Sequence, residues 1–389
     1  MTSTRKYKVA HLRRTYLLKR EPFIGYQVTS HVDFQSIVLC RERDVAGGYD
    51  SAPIYCSADQ LGGASKMSAD FLYNRLRVLS HREKEYLVDI IKKETPDILH
   101  CHYLPDARFF LDLKRATGLP LVVSAYGYDV SEFHRRLWGY GRMYLNPLLR
   151  LADAFIAMSP DMKNDLITLG CSPERVRVHY YGVETSLFHH PSRSYDSKEQ
   201  LTVLVVAGLD EYKGHIWLLK AVETLMQRGR KDFVVRFVGH GVLEDELKRF
   251  VRTHGLDSVV QFAGFVSRDN GGIVREFQNA DVFVMPSVTE RSGLKEGIPG
   301  ALVEAMASGL PCIATEHAGI PYVLTDEREG LLVPERDGPA IATNLERLFD
   351  DNNLRRTLGQ ASSARALREF DYKNQIRHLE AIYMSILKN

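Results

Sequence analysis

Apolar runs alternate with helix-period stretches along almost the whole chain, the pattern of a doubly wound α/β architecture. Tyr7 to Leu12 reads as the first strand, and residues 16–32 (YLLKREPFIGYQVTSHV) as a loop leading into a helix. Between residues 66 and 93, Phe71, Leu72, Leu76 and Leu79, then Tyr86, Leu87, Ile90 and Ile91, recur at helical spacing. Asp97-Ile98-Leu99 opens the next strand; Leu121 to Ser124 and Ala154 to Ser159 are two more. The polar stretch 189–200 (HHPSRSYDSKEQ), with its proline and serines, is the best linker in the chain.

A second series follows it. A continuous apolar strand ends at Gly208, and a loop leads to a helix near His215. FVVRFVGHGVLEDELKRFVRTHGL is a strand, a glycine turn and an amphipathic helix; Val282 to Met285 is a buried strand; a helix opens near Pro299. Gly330 to Val333 is a short strand, and the final helix carries Ile376, Leu379, Ile382, Tyr383 and Ile386 on one stripe. The expected domains are 1–190 and 191–365, with a closing helix over 366–389. A chain of 389 residues exceeds one ordinary core and fits two domains.

Composition narrows the class. With 44% hydrophobic and 26% charged residues the chain has a globular balance, and a net charge of +2 excludes a globally basic nucleic-acid binder. The five cysteines are scattered and never in C-x-x-C spacing, which suits a reduced cytoplasm and offers neither a disulfide framework nor a zinc site. No run approaches 18 apolar residues, and the start has no signal-peptide core, so the expected location is cytoplasmic. Residues 134–150 interleave Arg135, Arg136, Arg142 and Arg150 with Trp138, Tyr140, Tyr144 and Leu145. That surface suits the inner face of an anionic membrane, or equally a domain helix whose arginine stems cover apolar area.

Candidate chemistry concentrates in residues 284–321. Glu296 and Glu304 flank a turn made close-fitting by Gly297, Pro299 and Gly300, just where a helix begins. Free N–H groups and the dipole make that helix start a seat for phosphate, and two acceptor carboxylates beside it suit a ligand with phosphate and hydroxyls. A nucleotide sugar is such a ligand. On spacing alone, glutamates near a helix start also simply answer the dipole. His100 and His102 share one face of a strand, yet no third ligand sits nearby in sequence and zinc needs three, so no metal is expected.

The string EGIPGALVEAMASGLPCIAT, followed by GIP and by EGLLVPERD, resembles the donor-site signature of retaining glycosyltransferases of family 4. It is most similar to the branch building bacterial exopolysaccharides of the colanic-acid type, where the loop before the first glutamate is likewise lengthened. The resemblance implies the GT-B fold: two Rossmann-like doubly wound domains facing a deep interdomain cleft. It implies that Glu304 holds the ribose hydroxyls and that Glu296 holds sugar hydroxyls with the backbone of Gly297, Ile298, Pro299, Gly300 and Ala301; Leu302 belongs to the same donor segment. Lys213, in Lys-Gly-His, would stabilise the departing diphosphate. Gly239 matches a G-x-G turn at the donor cleft, and Phe265 and Val266 the segment that reads the base; a core role fits those two equally well. On the acceptor side, Glu21 and Phe23 match a loop pattern of this branch, and His102 ends an H-x-H-type strand. Tyr126-Gly127-Tyr128-Asp129 stands where the family has His-Gly-x-Asp, so Tyr126, a poor base at neutral pH, replaces the histidine that faces the transferred sugar.

A second departure is Gly208, which occupies the position of an arginine that clamps the diphosphate five residues before the lysine. Losing one charge-assisted contact weakens a phosphate ligand about 10- to 100-fold unless another cation substitutes. Arg291, Lys295 and Arg268 are the candidates. The expected activity is metal-independent, retaining transfer from a nucleoside diphosphate sugar, UDP-sugar foremost, to a hydroxyl of a saccharide or lipid-linked acceptor. No cofactor is implied. The alternative, motivated by Gly208 and Tyr126, is a GT-B-like protein that binds nucleotide or a partner with little transferase activity.

Overall fold

The computed structural model describes residues 6–16, 21–43, 52–133, 140–196, 198–268 and 270–388. Two parallel sheets account for the strands. The first contains β1 (Tyr7–Tyr16), β2 (Phe34–Arg43), β3 (Ile54–Cys56), β4 (Ile98–His102), β5 (Leu121–Ser124), β6 (Ala154–Ala157) and β7 (Val176–Val178), in the order β3-β2-β1-β4-β5-β6-β7. The second contains β8 (Leu201–Val206), β9 (Phe233–Val238), β10 (Val260–Gly264), β11 (Val282–Met285), β12 (Cys312–Thr315) and β13 (Gly330–Val333), ordered β10-β9-β8-β11-β12-β13. Central strands such as β4, β5, β11 and β12 are buried throughout, which is why they read as unbroken apolar runs rather than alternating ones.

In both sheets the strand order reverses once, between β1 and β4 and between β8 and β11. Crevices at the carboxyl ends of strands flanking such a reversal are where parallel α/β sheets bind ligands. The chain divides into one unit made of residues 1–181 and 373–389 and a second made of 182–372. The last helix, Tyr372–Leu387, therefore serves the first unit almost entirely: Tyr383 is fully buried and its hydroxyl lies 2.5 Å from His100 Nδ1.

Local chemistry explains where elements stop. The apolar pattern over 66–93 is two helices, Gly63–Leu76 and His81–Glu94, because Arg77 turns left-handed and Ser80 and Glu83 form a capping box. Phe71 and Leu76 stay exposed, so the first of these helices buries less of its apolar pattern than its spacing suggests. The stretch 189–200, expected as a linker, is strapped onto the second unit: the Arg193 guanidinium donates to the carbonyls of Phe277, Ala280 and Ser308, each at 2.6 Å. Tyr195 adds a hydrogen bond to the Gly309 carbonyl. Arg193 and Tyr195 tie it down, while most of its other described residues are exposed, as its polar composition suggests.

The G-x-G turn after β9 is glycine for a packing reason. Gly239 has φ +143°, and a Cβ there would lie 1.9 Å from the Ala207 carbonyl oxygen; at Gly241 it would meet Leu209 backbone at 2.6 Å. Gly239→Ala should therefore lower stability by about 2 kcal/mol or more. Urea melts check this, and an unchanged midpoint contradicts it.

Candidate functional site

In the second unit the residues singled out from the sequence converge on the start of the helix Gly300–Ala307. Lys213 closes the turn Glu211–Lys213 after β8, and its Nζ donates to Glu296 Oε1 on the loop after β11. The two side chains are 15% and 11% exposed. Burial alone would push the Lys213 ammonium down, but Glu296, with Tyr212 beside it, holds it above its ordinary value. Lys213 thus carries a full charge in a largely desolvated position.

The Glu296 loop is held from behind. The Glu296 backbone N–H donates to His317 Nε2 at 3.1 Å, which places the imidazole proton on Nδ1, and Nδ1 donates to Glu335 Oε1 at 2.5 Å. Thr289 binds both oxygens of that carboxylate, through its N–H at 2.9 Å and its hydroxyl at 3.0 Å. Burial works against the Glu335 charge, yet these donors keep its pKa below the ordinary glutamate value. Thr289, His317 and Glu335 were not among the expected site residues. They follow the carboxyl ends of β11, β12 and β13, and that placement was the signal available to find them.

Glu304 lies within the helix, 5% exposed, and the Arg268 guanidinium grips both its oxygens, at 2.7 and 3.0 Å. Arg268, one of the three candidate replacement cations, is thus brought onto Glu304. Arg291 is exposed on the lengthened loop, where the backbone closes on itself between Glu290 and Leu294, and Lys295 is half-buried there. Ile298 and Leu302 turn their side chains into the core, leaving only their backbone for a ligand; Gly297 and Pro299 are buried, and Gly300 and Ala301 are half-buried. Phe265 is 72% exposed on the loop after β10, edge-on to His240 at 5.8 Å, which removes the core alternative for it; Val266 is half-buried. At Gly208 a Cβ would meet the Asp210 carboxylate at 2.8 Å, so any side chain there requires Asp210 to move.

In the first unit the expected acceptor-side residues fall into two classes. Tyr126 is partly exposed among aromatic neighbours: Phe23 at 4.9 Å, Tyr103 at 4.7 Å and Tyr181 at 6.2 Å. Burial raises the pKa of its hydroxyl beyond the ordinary range, excluding it as a base at neutral pH. Asp129 and His102 are instead fully buried. Asp129 accepts backbone N–H groups of Tyr126, Gly127 and Leu104 at 3.0 to 3.1 Å, so it holds the turn that presents Tyr126 rather than facing a ligand. Glu21 accepts from Arg13 and from the Tyr103 hydroxyl, and Arg13 also pairs with buried Asp106; this network, too, escaped the sequence reading.

The histidine pair is not alone. His11 on β1 faces His100 in register, and with His102 the three place ligand atoms within 4.8 Å of one another. That corrects the expectation that no third ligand lies nearby. Five of the six nitrogens are already engaged, however: His100 with Tyr383 and with Ser124 at 2.7 Å, His102 with Tyr126 at 2.7 Å and with His11 Nδ1 at 3.0 Å, while His11 Nε2 is buried without a hydrogen-bond partner. Zinc bonds of about 2.0–2.1 Å would draw its ligating nitrogens to about 3.3 Å. The cluster is a hydrogen-bonded imidazole layer that sets the position of Tyr126.

Arg135, Arg136 and Trp138 of the basic and aromatic segment lie outside the described residues. The helix Tyr140–Leu151 buries Leu145, Leu148 and Leu149, and Tyr144 donates to the Arg77 carbonyl, while Tyr140, Arg142 and Met143 are exposed. Among the described residues no helix is long and apolar enough to cross a membrane.

Comparison with known proteins agrees with this arrangement. Residues 35–187 match Glycosyltransferase Family 4, and residues 200–351 match Glycosyl transferases group 1. The amylovoran biosynthesis glycosyltransferase AmsK of Erwinia amylovora is 36% identical over 242 residues, 61% of this chain and 56% of AmsK. The putative colanic acid biosynthesis glycosyltransferase WcaL of Escherichia coli K12 is 31% identical over 255 residues, 66% of this chain and 61% of WcaL. The chain thus spans less than two thirds of the length of these curated relatives. HepE of Anabaena, crystallised in complex with UDP, superposes with a TM-score of 0.76 at 16% identity, covering 98% of this chain and all of HepE. With one sheet-bearing unit matched to each of the two descriptions, the chain is a member of the family 4 glycosyltransferases, with the two Rossmann-like domains of the GT-B fold.

Proposed function

We propose that the protein transfers a sugar, with retention of anomeric configuration and without a metal, from a nucleoside diphosphate sugar to a hydroxyl of a saccharide or lipid-linked acceptor in exopolysaccharide biosynthesis. The observation that carries this reading is the pairing of Lys213 with Glu296 and of Arg268 with Glu304 around one helix start at a sheet reversal. A uridine donor draws support from HepE, whose structures include complexes with UDP and with UDP-glucose.

In this reading the bond between the sugar C1 and the diphosphate oxygen breaks as the acceptor oxygen bonds to C1 from the same face. The acceptor proton passes to the departing phosphate, so no protein base is required. Lys213 and the N–H groups at the start of the helix Gly300–Ala307 meet the developing charge. Glu296 and the backbone around Gly297 orient the sugar, and the Glu335–His317 pair fixes where Glu296 stands.

Incubation with UDP-sugars and a lipid or saccharide extract tests this. Transfer is expected to continue in EDTA, and NMR of the product should show the anomeric configuration of the donor. Inversion, or loss of transfer restored by a divalent cation, overturns the respective part. Gly208 and Tyr126 also suit a nucleotide-binding protein without transfer, and binding of UDP with silence toward every common donor and acceptor selects that reading. The exposed Tyr140, Arg142 and Met143 suit an anionic bilayer surface; flotation with phosphatidylserine-containing liposomes should be salt-sensitive, and no flotation removes the membrane role.

A further inference from the structure

Both glutamates of the donor site are already neutralised by cations of the same unit. The two pairs differ in exposure. Lys213 is largely buried against Glu296, whereas the Arg268 side chain is 43% exposed, on a loop, and covers a Glu304 carboxylate that is only 6% exposed. Both Glu304 oxygens face the guanidinium fork, so a ligand hydroxyl reaches them only when Arg268 moves. Glu304 stands four residues after Gly300, about 6 Å along the helix axis from its start. A rotamer change of a half-exposed arginine spans that distance. At the helix start it would join Lys213, itself paired with Glu296, in facing a diphosphate.

We propose that Arg268 is an exchangeable cation: in the free protein it neutralises Glu304, and when a nucleoside diphosphate sugar binds it yields Glu304 to the ribose hydroxyls and turns onto the diphosphate. This rests on the donor-site reading above. The exchange makes nucleotide binding conditional on the phosphates. A nucleoside alone must break the Arg268–Glu304 pair without giving the guanidinium a new anion, whereas a diphosphate supplies one. The site thereby discriminates against nucleosides that would otherwise occupy the base and ribose positions. Arg268 is in this sense a specificity-determining residue that also serves the leaving group.

Calorimetry with UDP and with uridine, and in parallel with GDP and guanosine, on the parent protein, Arg268→Gln, Arg268→Lys and Glu304→Gln distinguishes the outcomes. Arg268→Gln is expected to bind the diphosphate at least about tenfold more weakly while binding the nucleoside as well as or better than the parent. Arg268→Lys, which keeps the charge without the fork, should recover part of the diphosphate affinity. If Arg268→Gln binds diphosphate and nucleoside both more tightly, or leaves the diphosphate unchanged, Arg268 only blocks Glu304 and the exchange is wrong. If the parent binds none of these diphosphates, or Glu304→Gln leaves nucleoside binding unchanged, the donor-site reading itself fails, a result separate from the first. Thermal melts of each variant confirm folding, which the half-exposed position of Arg268 favours.

Discussion

Lys213→Ala is expected to weaken UDP binding about 10- to 100-fold, the value of one charge-assisted contact to phosphate. It should also lower stability by about 3 kcal/mol, because Glu296 would keep its charge at 11% exposure with its partner gone. The two effects separate in the double variant Lys213→Ala/Glu296→Ala. Removing both members eliminates the stranded carboxylate, so most of the stability should return while UDP affinity stays low. UDP lacks the sugar that Glu296 would orient, so the second substitution adds little to the measured loss. Denaturant melts and calorimetry read both quantities. A single variant that binds UDP like the parent removes Lys213 from the phosphate site, and a double variant no more stable than the single removes the buried-pair argument.

Stability is expected to fall steeply as pH drops from 6.5 toward 5. His11, His100, His102 and His179 of the first unit and His215 of the second are buried, and burial, with neighbouring positive charge or imidazoles, drives their pKa values below the ordinary 6.5. For His100, His179 and His215 the value reaches about 3. The sign follows from proton counting. Below 6.5 the unfolded chain takes up protons that the folded chain refuses, so acid favours unfolding until the folded values near 3 are reached. Each such histidine costs about 1 kcal/mol between pH 6.5 and 5.5, and several acting together cost about 4. Carboxylates held below their ordinary range, such as Glu335 and Glu380, contribute their own losses only at lower pH. Urea midpoints at pH 7.5 and 5.5 test this, and equal midpoints contradict it.

The acid sensitivity and the donor site have a common origin in the strand-end chemistry of parallel sheets. His102 ends β4 and, through its 2.7 Å contact, positions Tyr126 beyond β5, just as His317 beyond β12 positions Glu296 beyond β11. In each unit a buried imidazole stands behind the residue assigned to the ligand.

How much of this was legible beforehand depends on the range over which each feature is encoded. Helices, strands and the doubly wound class follow from periods of a few residues, which is why β4, β5, β8, β11 and the last helix stand close to where the apolar pattern puts them. The glycine-rich turn at Pro299 and Gly300 is local too, since it and the helix start it opens are consecutive in the chain. The partners of the site residues are not. Lys213 and Glu296 are 83 residues apart, Arg268 and Glu304 36, and His11 and His102 91. No spacing rule connects residues whose contact depends on which strands become neighbours. For the same reason Asp129 and Glu21 looked like ligand contacts: their identity as carboxylates was visible, while the backbone N–H groups and the arginine that consume them were not. The sequence by itself determined the architecture, the family signature and the two glutamates. Only the tertiary structure decided which cation stands on which glutamate, because ion pairing is set by position in space and burial, and both arise from long-range strand order.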